Sequence, residues 1–400
     1  MSILAIVLTI LLGLVLLVWI SRHLLLNRER RKADALTDDS PGVEGEAPSV
    51  SLLVAAKDEE ENIEACVRSL LALDYPDFEV IACDDRSEDR TPGILDGIAT
   101  EDPRLKVIHV TELPDGWCGK NNAMMTGIRT ARGEWLCMTD ADCRQTSTRT
   151  LSVAMRRALD SGADMLSVLP AFRTESFWEN VIQPVCGGVM MIWFHPDKVN
   201  NAARSNAYAN GAFMMIRRSA YEAIGTHEAV KTALMEDLAM ARRVKRSGLA
   251  LRIVRGLGLY SVRMYETFRA TLRGWRRIFF GTFGSMRRLA TALTLVLLMS
   301  LLPWVGTVLG FALAAAGGTE AGWWLACGIV GATAVAVQLS VIVRFYRLLE
   351  GKPGLAWTYP LGCLAAAWCL FRAILMHRPG ARVTWRGTTY AAATPGRSQK

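Results

Sequence analysis

Apolar positions are distributed along this chain in two ways. At both ends they form long uninterrupted runs, and in the middle they alternate with polar and charged residues. Residues 1–21 contain no Asp, Glu, Lys or Arg and read as nearly continuous Leu, Ile and Val. A helix of ~20 such residues matches a bilayer core, so this segment predicts a membrane anchor. It lacks the basic start and small-x-small site of a cleaved leader. Arg22, Arg28, Arg30, Arg31 and Lys32 follow it, which favours an uncleaved anchor with its C-terminal end in the cytosol. Near the other end, residues 289–319, 321–343 and 353–371 are uncharged. The first two are long enough to span. The third is borderline and carries Pro353 and Pro360. Crossing there would expel Arg372, Arg378, Arg382 and Arg386, so a re-entrant path stays open beside a full span.

Residues 49–288 have a different texture. Val50–Ala56, Phe78–Cys83, Leu105–Val110 and Glu134–Thr139 are short apolar runs of strand length. Between them, residues 59–73, 88–99 and 120–131 carry helical spacing, as in Ile63, Cys66, Val67, Leu70 and Leu71. Strands alternating with helices predict an α/β domain with a mainly parallel sheet, whose ligands bind beyond the C-terminal strand ends. Carboxylates stand at three such ends: Asp58-Glu59, Asp84-Asp85, and Asp140 with Asp142. Residues 33–48, rich in Asp, Ser, Pro, Gly and Glu, read as a linker, and the tail after Tyr390 as frayed.

The chemistry these groups offer is specific. Asp140-Ala-Asp142 can hold a hard divalent cation while leaving positions for diphosphate oxygens. Asp84 and Asp85 can accept hydrogen bonds from a base or ribose, although Asp85 or Ser87 can equally cap a helix. In Gly116-Trp-Cys-Gly119-Lys120-Asn-Asn-Ala, Lys120 at a helix start is placed to neutralise a phosphate; the spacing is not that of a P-loop. Glu236-Asp237 opens another helix, either as acids complementing its N-terminus or as a general base.

In order, Val-Ala55-Ala-Lys-Asp58-Glu59, Cys-Asp84-Asp85-Arg86-Ser87, Asp140-Ala-Asp142, Asn210-Gly211 and Met-Glu236-Asp237 resemble the family 2 glycosyltransferases. The resemblance implies a GT-A fold, a nucleotide-diphosphate sugar donor and a divalent metal, Mg or Mn. By the same resemblance Asp58, Glu59, Asp84 and Asp85 would face uridine, with Ala55 a candidate substrate contact. Asp142, helped by Asp140, would hold metal and diphosphate, and Asp237, with Glu236 beside it, would be the catalytic base. Lys120, Asp140, Gly211 and Trp275 are further candidate substrate contacts. Val-Arg-Met264-Tyr265, Gly274-Trp275-Arg276-Arg277 and Thr-Trp385-Arg386-Gly387 look like the branch that glycosylates membrane lipids, including hopanoid-associated, carotenoid-acid and ceramide glucosyltransferase-like enzymes. Two departures stand out: Arg86 replaces the glycine usual after the acid pair, and the Gln-x-x-Arg-Trp motif of processive synthases is absent.

Charge sharpens this reading. The chain has 46 Lys+Arg against 38 Asp+Glu, a formal +8. Seven arginines fall in 263–288, interleaved with Phe268, Leu272, Trp275, Phe279 and Phe283 at spacings of three and four. That pattern predicts an interfacial helix with a cationic face, and makes Arg276 and Arg277 candidate cations for a leaving diphosphate. Asn180–Phe194 is a second apolar helix, too short to span, for the membrane surface or the core. Arginines beside a bilayer entry argue against nucleic acid as a partner. Nine cysteines without a CxxC read as reduced packing residues.

The expected organisation is therefore an anchor at 1–21, a basic juxtamembrane segment and linker at 22–48, and a GT-A domain at 49–262. An interfacial helix at 263–288, membrane segments at 289–376 and a tail at 377–400 complete it. The expected activity is inverting, metal-dependent transfer of a sugar to a lipid hydroxyl or carboxyl at the cytosolic leaflet of the cell membrane. A processive polysaccharide synthase and a catalytically silent membrane scaffold are the alternatives. A transporter fits poorly, because the few spans lack buried charges.

Overall fold

A computed structural model of the chain describes residues 3–31, 35–349, 351–378, 382–385 and 388–391. Lys32, Arg386 and Gly387, invoked above, lie outside the described residues. The strands are β1 (Ala35–Leu36), β2 (Val50–Ala56), β3 (Phe78–Asp85), β4 (Leu105–Val110), β5 (Trp135–Asp140), β6 (Cys143–Gln145), β7 (Met165–Leu169), β8 (Ala171–Phe172), β9 (Met214–Arg217), β10 (Leu251–Gly256), β11 (Tyr260–Val262), β12 (Arg382–Trp385) and β13 (Thr388–Ala391). The helices are α1 (Ile3–Arg31), α2 (Ile63–Leu71), α3 (Thr91–Glu101), α4 (Gly119–Ile128), α5 (Thr150–Asp160), α6 (Phe177–Trp193), α7 (Pro196–Val199), α8 (Arg218–Ala223), α9 (Glu236–Arg246), α10 (Phe268–Phe283), α11 (Met286–Leu295), α12 (Leu302–Ala315), α13 (Ala321–Leu348) and α14 (Tyr359–Leu375). The chain separates into an α/β unit, Asp34–Arg173 with Ile192–Met264, and a helical unit made of the remainder.

The α/β unit is built on an eight-stranded sheet in the order β1-β10-β7-β9-β5-β2-β3-β4. Every neighbouring pair is parallel except those of β9, which runs antiparallel to β5 and β7. The expected mainly parallel sheet is therefore present. Central strands covered on both faces favour apolar residues at most positions, which is why β2 and β5 read as near-continuous hydrophobic runs, broken by Ser51 and by the closing Thr139-Asp140. One face packs under α2, α3 and α5 through Ile63, Val67, Leu70, Leu95 and Leu151. The other packs under α4, α8 and α9 through Met124, Ile128, Tyr221, Met240 and Val244. The short strands β6, β11 and β8 form a second sheet.

Residues 35–48, expected to be a linker, are tied to this unit. β1 pairs in parallel with β10, Val43 N–H donates to Ser152 Oγ at 3.0 Å, and Arg149 holds the Ser40 carbonyl at 3.1 Å. The accepting hydroxyl of Ser152 on α5 and the donating guanidinium of Arg149 just before it supply the order that the segment's own composition does not.

Among the described residues, four stretches of the helical unit are long and apolar enough to cross a membrane: Ile3–Leu26, Met286–Ala315, Ala321–Leu348 and Pro353–Leu375. The second joins α11 to α12 through a π-helical turn, Val296–Leu301. α12 and α13 approach closely at small residues, as membrane helices do; a Cβ on Gly310 would lie 2.3 Å from the Gly328 nitrogen. α6 is a packed helix of this unit: Val181 and Ile182 are fully buried, and Gly362 of α14 sits against the Val181 carbonyl. The cationic stretch 263–288 is not one helix. α10 starts behind the Thr267 side chain, which caps Ala270 N–H, and stops at Gly284 in the left-handed region (φ 62°). Ser285 then caps α11.

Candidate active site

Parallel pairing places the ends of β2, β3 and β5 side by side, and with them most of the acidic residues singled out above. Ala55 pairs with Asp140 across β2 and β5, and Ala56 with Asp84 across β2 and β3. The two loops beyond β2 and β3 are laced together. Asp58 N–H donates to Ser87 Oγ at 3.0 Å, and Asp58 Oδ1 accepts from Glu88 N–H at 2.8 Å. Glu59 N–H donates to Thr91 Oγ1 at 2.9 Å, and Glu59 Oε2 accepts from Asn62 at 3.0 Å. Asp58 and Arg86 both have positive φ, 52° and 57°. That conformation costs a side chain-bearing residue about 1 kcal/mol and is natural for glycine. This accounts for the glycine usual at position 86 and shows what stands in its place. The Arg86 guanidinium folds back onto Asp85, Nε to Oδ1 at 2.8 Å and Nη2 to Oδ2 at 3.1 Å. Gly119 leaves room for this pair, since a Cβ there would lie 2.3 Å from Asp85 Oδ2.

Asp84 is equally occupied. Its Oδ1 accepts from Ser87 N–H at 3.2 Å, and its Oδ2 lies 3.2 Å from Nδ1 of His109, whose Nε2 reaches Asp96 at 3.0 Å. These two carboxylates raise the His109 pKa against the opposing effect of partial burial; the Asp84 hydrogen bond is the largest cause. His109 was not foreseen. It is the penultimate residue of β4, directly opposite Asp84 in the sheet register, so the strand-end rule applied to the acids extends to it.

The second half of the site gathers around Gly211. Lys120, expected at a phosphate, has its ammonium between Asp140 Oδ1 and Glu236 Oε1, 2.5 Å from each. Burial alone would lower its pKa, but the two carboxylates outweigh this and hold it well above the ordinary value. A Cβ on Gly211 would lie 3.4 Å from Lys120 Nζ, 3.6 Å from Glu236 Oε1 and 3.7 Å from Asp140 Oδ2. Asp237 accepts Gly211 N–H at 3.1 Å and Leu238 N–H at 2.7 Å. Burial first, and then the charge of Glu236, push its carboxyl up to about 7, against the pull of Lys120. Asn121, next to Lys120, donates to the carbonyls of Val230 and Ala233 and so ties the start of α4 to the segment leading into α9. His227 in that segment is fully buried, and burial holds it neutral, with a pKa near 3.

Trp275, Arg276 and Arg277 lie on α10, in the helical unit. Trp275, expected to contact substrate, is packed within the helical unit. Its ring is only 3% exposed and its indole N–H donates to Gln183 Oε1 of α6 at 2.7 Å. Arg276 faces α14, as described below.

The sequence profile described as Glycosyl transferase family 2 matches residues 51–225, and that described as Glycosyl transferase family group 2 matches residues 163–371, just over half of the chain. The chain belongs to glycosyl transferase family group 2. Its fold is the GT-A fold with long apolar helices at its N-terminal end and in its C-terminal region. A solved structure of mannosyltransferase PcManGT from Pyrobaculum calidifontis, in complex with GDP-Man and Mn2+, superposes with a TM-score of 0.55. The two are 20% identical over 92% of this chain and 98% of that one, a likeness of fold. Among curated relatives of this family 2 chain, a protein named beta-monoglucosyldiacylglycerol synthase from Trichormus variabilis is 32% identical over 46% of this chain and 38% of its own length. A protein of the same name from Synechocystis is 41% identical over 24% of this chain and 20% of its own length. The chain thus spans well under half the length of these relatives.

Among the described residues, no group of three or more His, Cys, Asp and Glu side chains forms a closed cation cage. Asp140 and Asp142 flank the buried Ala141, and the neighbouring thiols of Cys66 and Cys143 are pushed well above their ordinary pKa, by burial first and then by these carboxylates. Two carboxylates without a thiolate suit a hard cation such as Mg or Mn that takes its other ligands from water and diphosphate.

Proposed function

We propose that this chain is a membrane-bound, inverting glycosyltransferase that moves a sugar from a uridine-diphosphate sugar to the hydroxyl or carboxyl of a membrane lipid, at the cytosolic leaflet. The observation that carries this reading is the cluster at Gly211, where an acid of raised pKa, Asp237, stands beside the Lys120-bridged pair of Asp140 and Glu236. A general base works best with a pKa near the working pH, and Asp237 meets that condition. Support for the lipid acceptor comes from the names of the curated relatives and from the four apolar helices. Arginines after the first apolar run favour the cytosolic side.

In the proposed reaction Asp237 takes the proton of the acceptor O–H. The acceptor oxygen bonds to the anomeric carbon in line, the bond from that carbon to the diphosphate oxygen breaks, and uridine diphosphate leaves with inversion. Gly211 N–H and Leu238 N–H fix the orientation of the base. Glu236, locked to Lys120, holds a second negative charge beside it and keeps its pKa up. Asp84, Asp85, Asp58 and Glu59, with Ala55, form the nucleoside end. Asp142 and Asp140 would hold Mg or Mn, which supplies charge neutralisation at the diphosphate when bound. Arg277 is the candidate cation of the helical unit, whereas Arg276 is turned to α14.

The test is transfer in membranes containing the full-length chain, with radiolabelled UDP-glucose and extracted lipids. A labelled lipid that disappears with Asp237→Asn, the protein remaining folded, is the expected result. No labelled lipid with any UDP-sugar, or label only in long water-soluble polymer, would sink the reading.

A further inference from the structure

One cluster in the helical unit takes part in no step of the proposed reaction: the guanidinium groups where α10 meets α14. Two contacts set the register of these helices. The Cys369 thiol donates to the Leu272 carbonyl at 3.5 Å, and the rings of Phe280 and His377 lie 4.7 Å apart. From 272 to 280 and from 369 to 377 the advance is the same, so the helices run parallel and side by side. Arg276 falls midway, on the face turned to α14, opposite the fully buried Ala373 and next to Arg372. Arg273 is its i−3 neighbour, on the same face.

These cations are short of anions. Nε of Arg276 is buried without a hydrogen-bond partner, and so is Nε2 of His377. Among the described residues no carboxylate pairs with Arg273, Arg276 or Arg372; the Arg372 guanidinium instead lies 5.5 Å over the Trp368 ring. Burial, Arg372 and Arg273 all lower the Arg276 pKa, as expected of like charges crowded together. Buried donors without acceptors are costly, and an arriving anion removes that cost. Arg372 and Arg273 are exposed, so the cluster is open to one.

A second observation says what the anion is attached to. Leu361, Leu364, Trp368 and Phe371 are 41%, 56%, 51% and 45% exposed and share one face of α14 at i, i+3, i+7 and i+10. This apolar stripe runs along the candidate span Pro353–Leu375 and ends beside Arg372, close to the end of that span. Acyl chains suit the stripe, and guanidinium forks suit phosphate oxygens.

We propose that the α10–α14 junction is a binding site for the phosphate of an anionic phospholipid, gripped by Arg276 and Arg372, attracted by Arg273, with its chains along the Leu361–Phe371 stripe. This rests on the reading that the apolar helices lie in a bilayer. The test follows thermal unfolding of the full-length protein in neutral detergent while short-chain phosphatidylglycerol, phosphatidylcholine, pyrophosphate or UDP is added. Phosphatidylglycerol should stabilise at concentrations at least tenfold lower than phosphatidylcholine. Arg372→Gln should lose that preference and Arg372→Lys keep most of it; Arg273→Gln, at an exposed position, should weaken it about threefold. Equal responses to the two lipids, or an unchanged Arg372→Gln, overturn the proposal. Pyrophosphate or UDP saturating the same response as strongly would assign the arginines to a soluble diphosphate and overturn the lipid assignment. Alkaline carbonate separates the two readings: release from membranes defeats the bilayer reading itself, whereas a retained protein without lipid preference defeats only this inference.

Discussion

Replacing Lys120 with Met keeps an unbranched stem of similar length and removes the ammonium. Two carboxylates lose their partner, and they are not equivalent: the Glu236 side chain is 7% exposed and that of Asp140 36%. At the 2.5 Å separation of each pair, an effective dielectric near 20 gives about 6–7 kcal/mol of attraction. Most of that repays desolvation, so the quantity that matters is the cost of stranding one buried partner, about 3–5 kcal/mol. Asp140 is open enough to water to add little. Lys120→Met is therefore expected to lose about 3–5 kcal/mol, a fall in Tm of about 6–20 °C for a domain of this size. Thermal unfolding in detergent at pH 7.5 measures it, with Lys120→Met/Glu236→Gln as companion. Removing the stranded carboxylate as well should restore most of the loss, because an apolar–amide pair leaves no buried charge. The Lys120 pKa is raised, so its contribution is fully present below the ordinary lysine value of 10.5 and disappears only as pH climbs through the higher folded value. A single variant as stable as the parent at pH 7.5, or a double variant less stable than the single, would refute the reasoning.

Three shorter predictions follow from the same site. With Asp237 raised to about 7, kcat/KM should rise with pH through about 7 as the base deprotonates. Asp237→Asn should lose about 10²–10⁴-fold in kcat and show no such limb, checked by initial rates between pH 5.5 and 9. Chelation with EDTA should abolish UDP binding, and Mn or Mg should restore it where Zn does not, read by isothermal titration; full binding in EDTA would exclude the cation role of Asp140 and Asp142. His227, buried and lowered to about 3, favours the folded state above the unfolded value of 6.5 and loses that advantage as pH falls towards 3. Unfolding midpoints should decline below about pH 6, and the decline should be shallower in His227→Phe.

Much of the site was legible because strand-end acids are a one-dimensional signal. Asp58, Asp84, Asp85 and Asp140 follow apolar runs, and parallel pairing turned that spacing into adjacency. The partners of those acids were not legible. Arg86 looked like a missing glycine, and only its positive φ and its return onto Asp85 explain the substitution. Lys120 looked like a phosphate ligand, because nothing in the order of residues brings Glu236 to it from 116 positions away. β7, β9 and β10 escaped the strand count, since their runs lie among irregular segments and β9 reverses the alternation on which the prediction leaned. Trp275 and Arg276 carried chemistry by motif, yet helix packing against α6 and α14 decides where they point.

The π-helical turn at Val296–Leu301 has a consequence for biosynthesis. Its freed carbonyls are claimed from afar: Trp19 Nε1 of α1 donates to Met299 O at 2.7 Å, and Gln338 Nε2 of α13 reaches Met299 O and Ser300 O at 3.3 and 3.2 Å. Ser300 Oγ also meets the Tyr359 hydroxyl of α14 at 2.8 Å. During translation α1 is made some 280 residues before its acceptor exists. The partners of α1 are thus made last, and Ile3–Leu26 is the most apolar of the four segments, whereas the polar Gln338 is made after both of its acceptors.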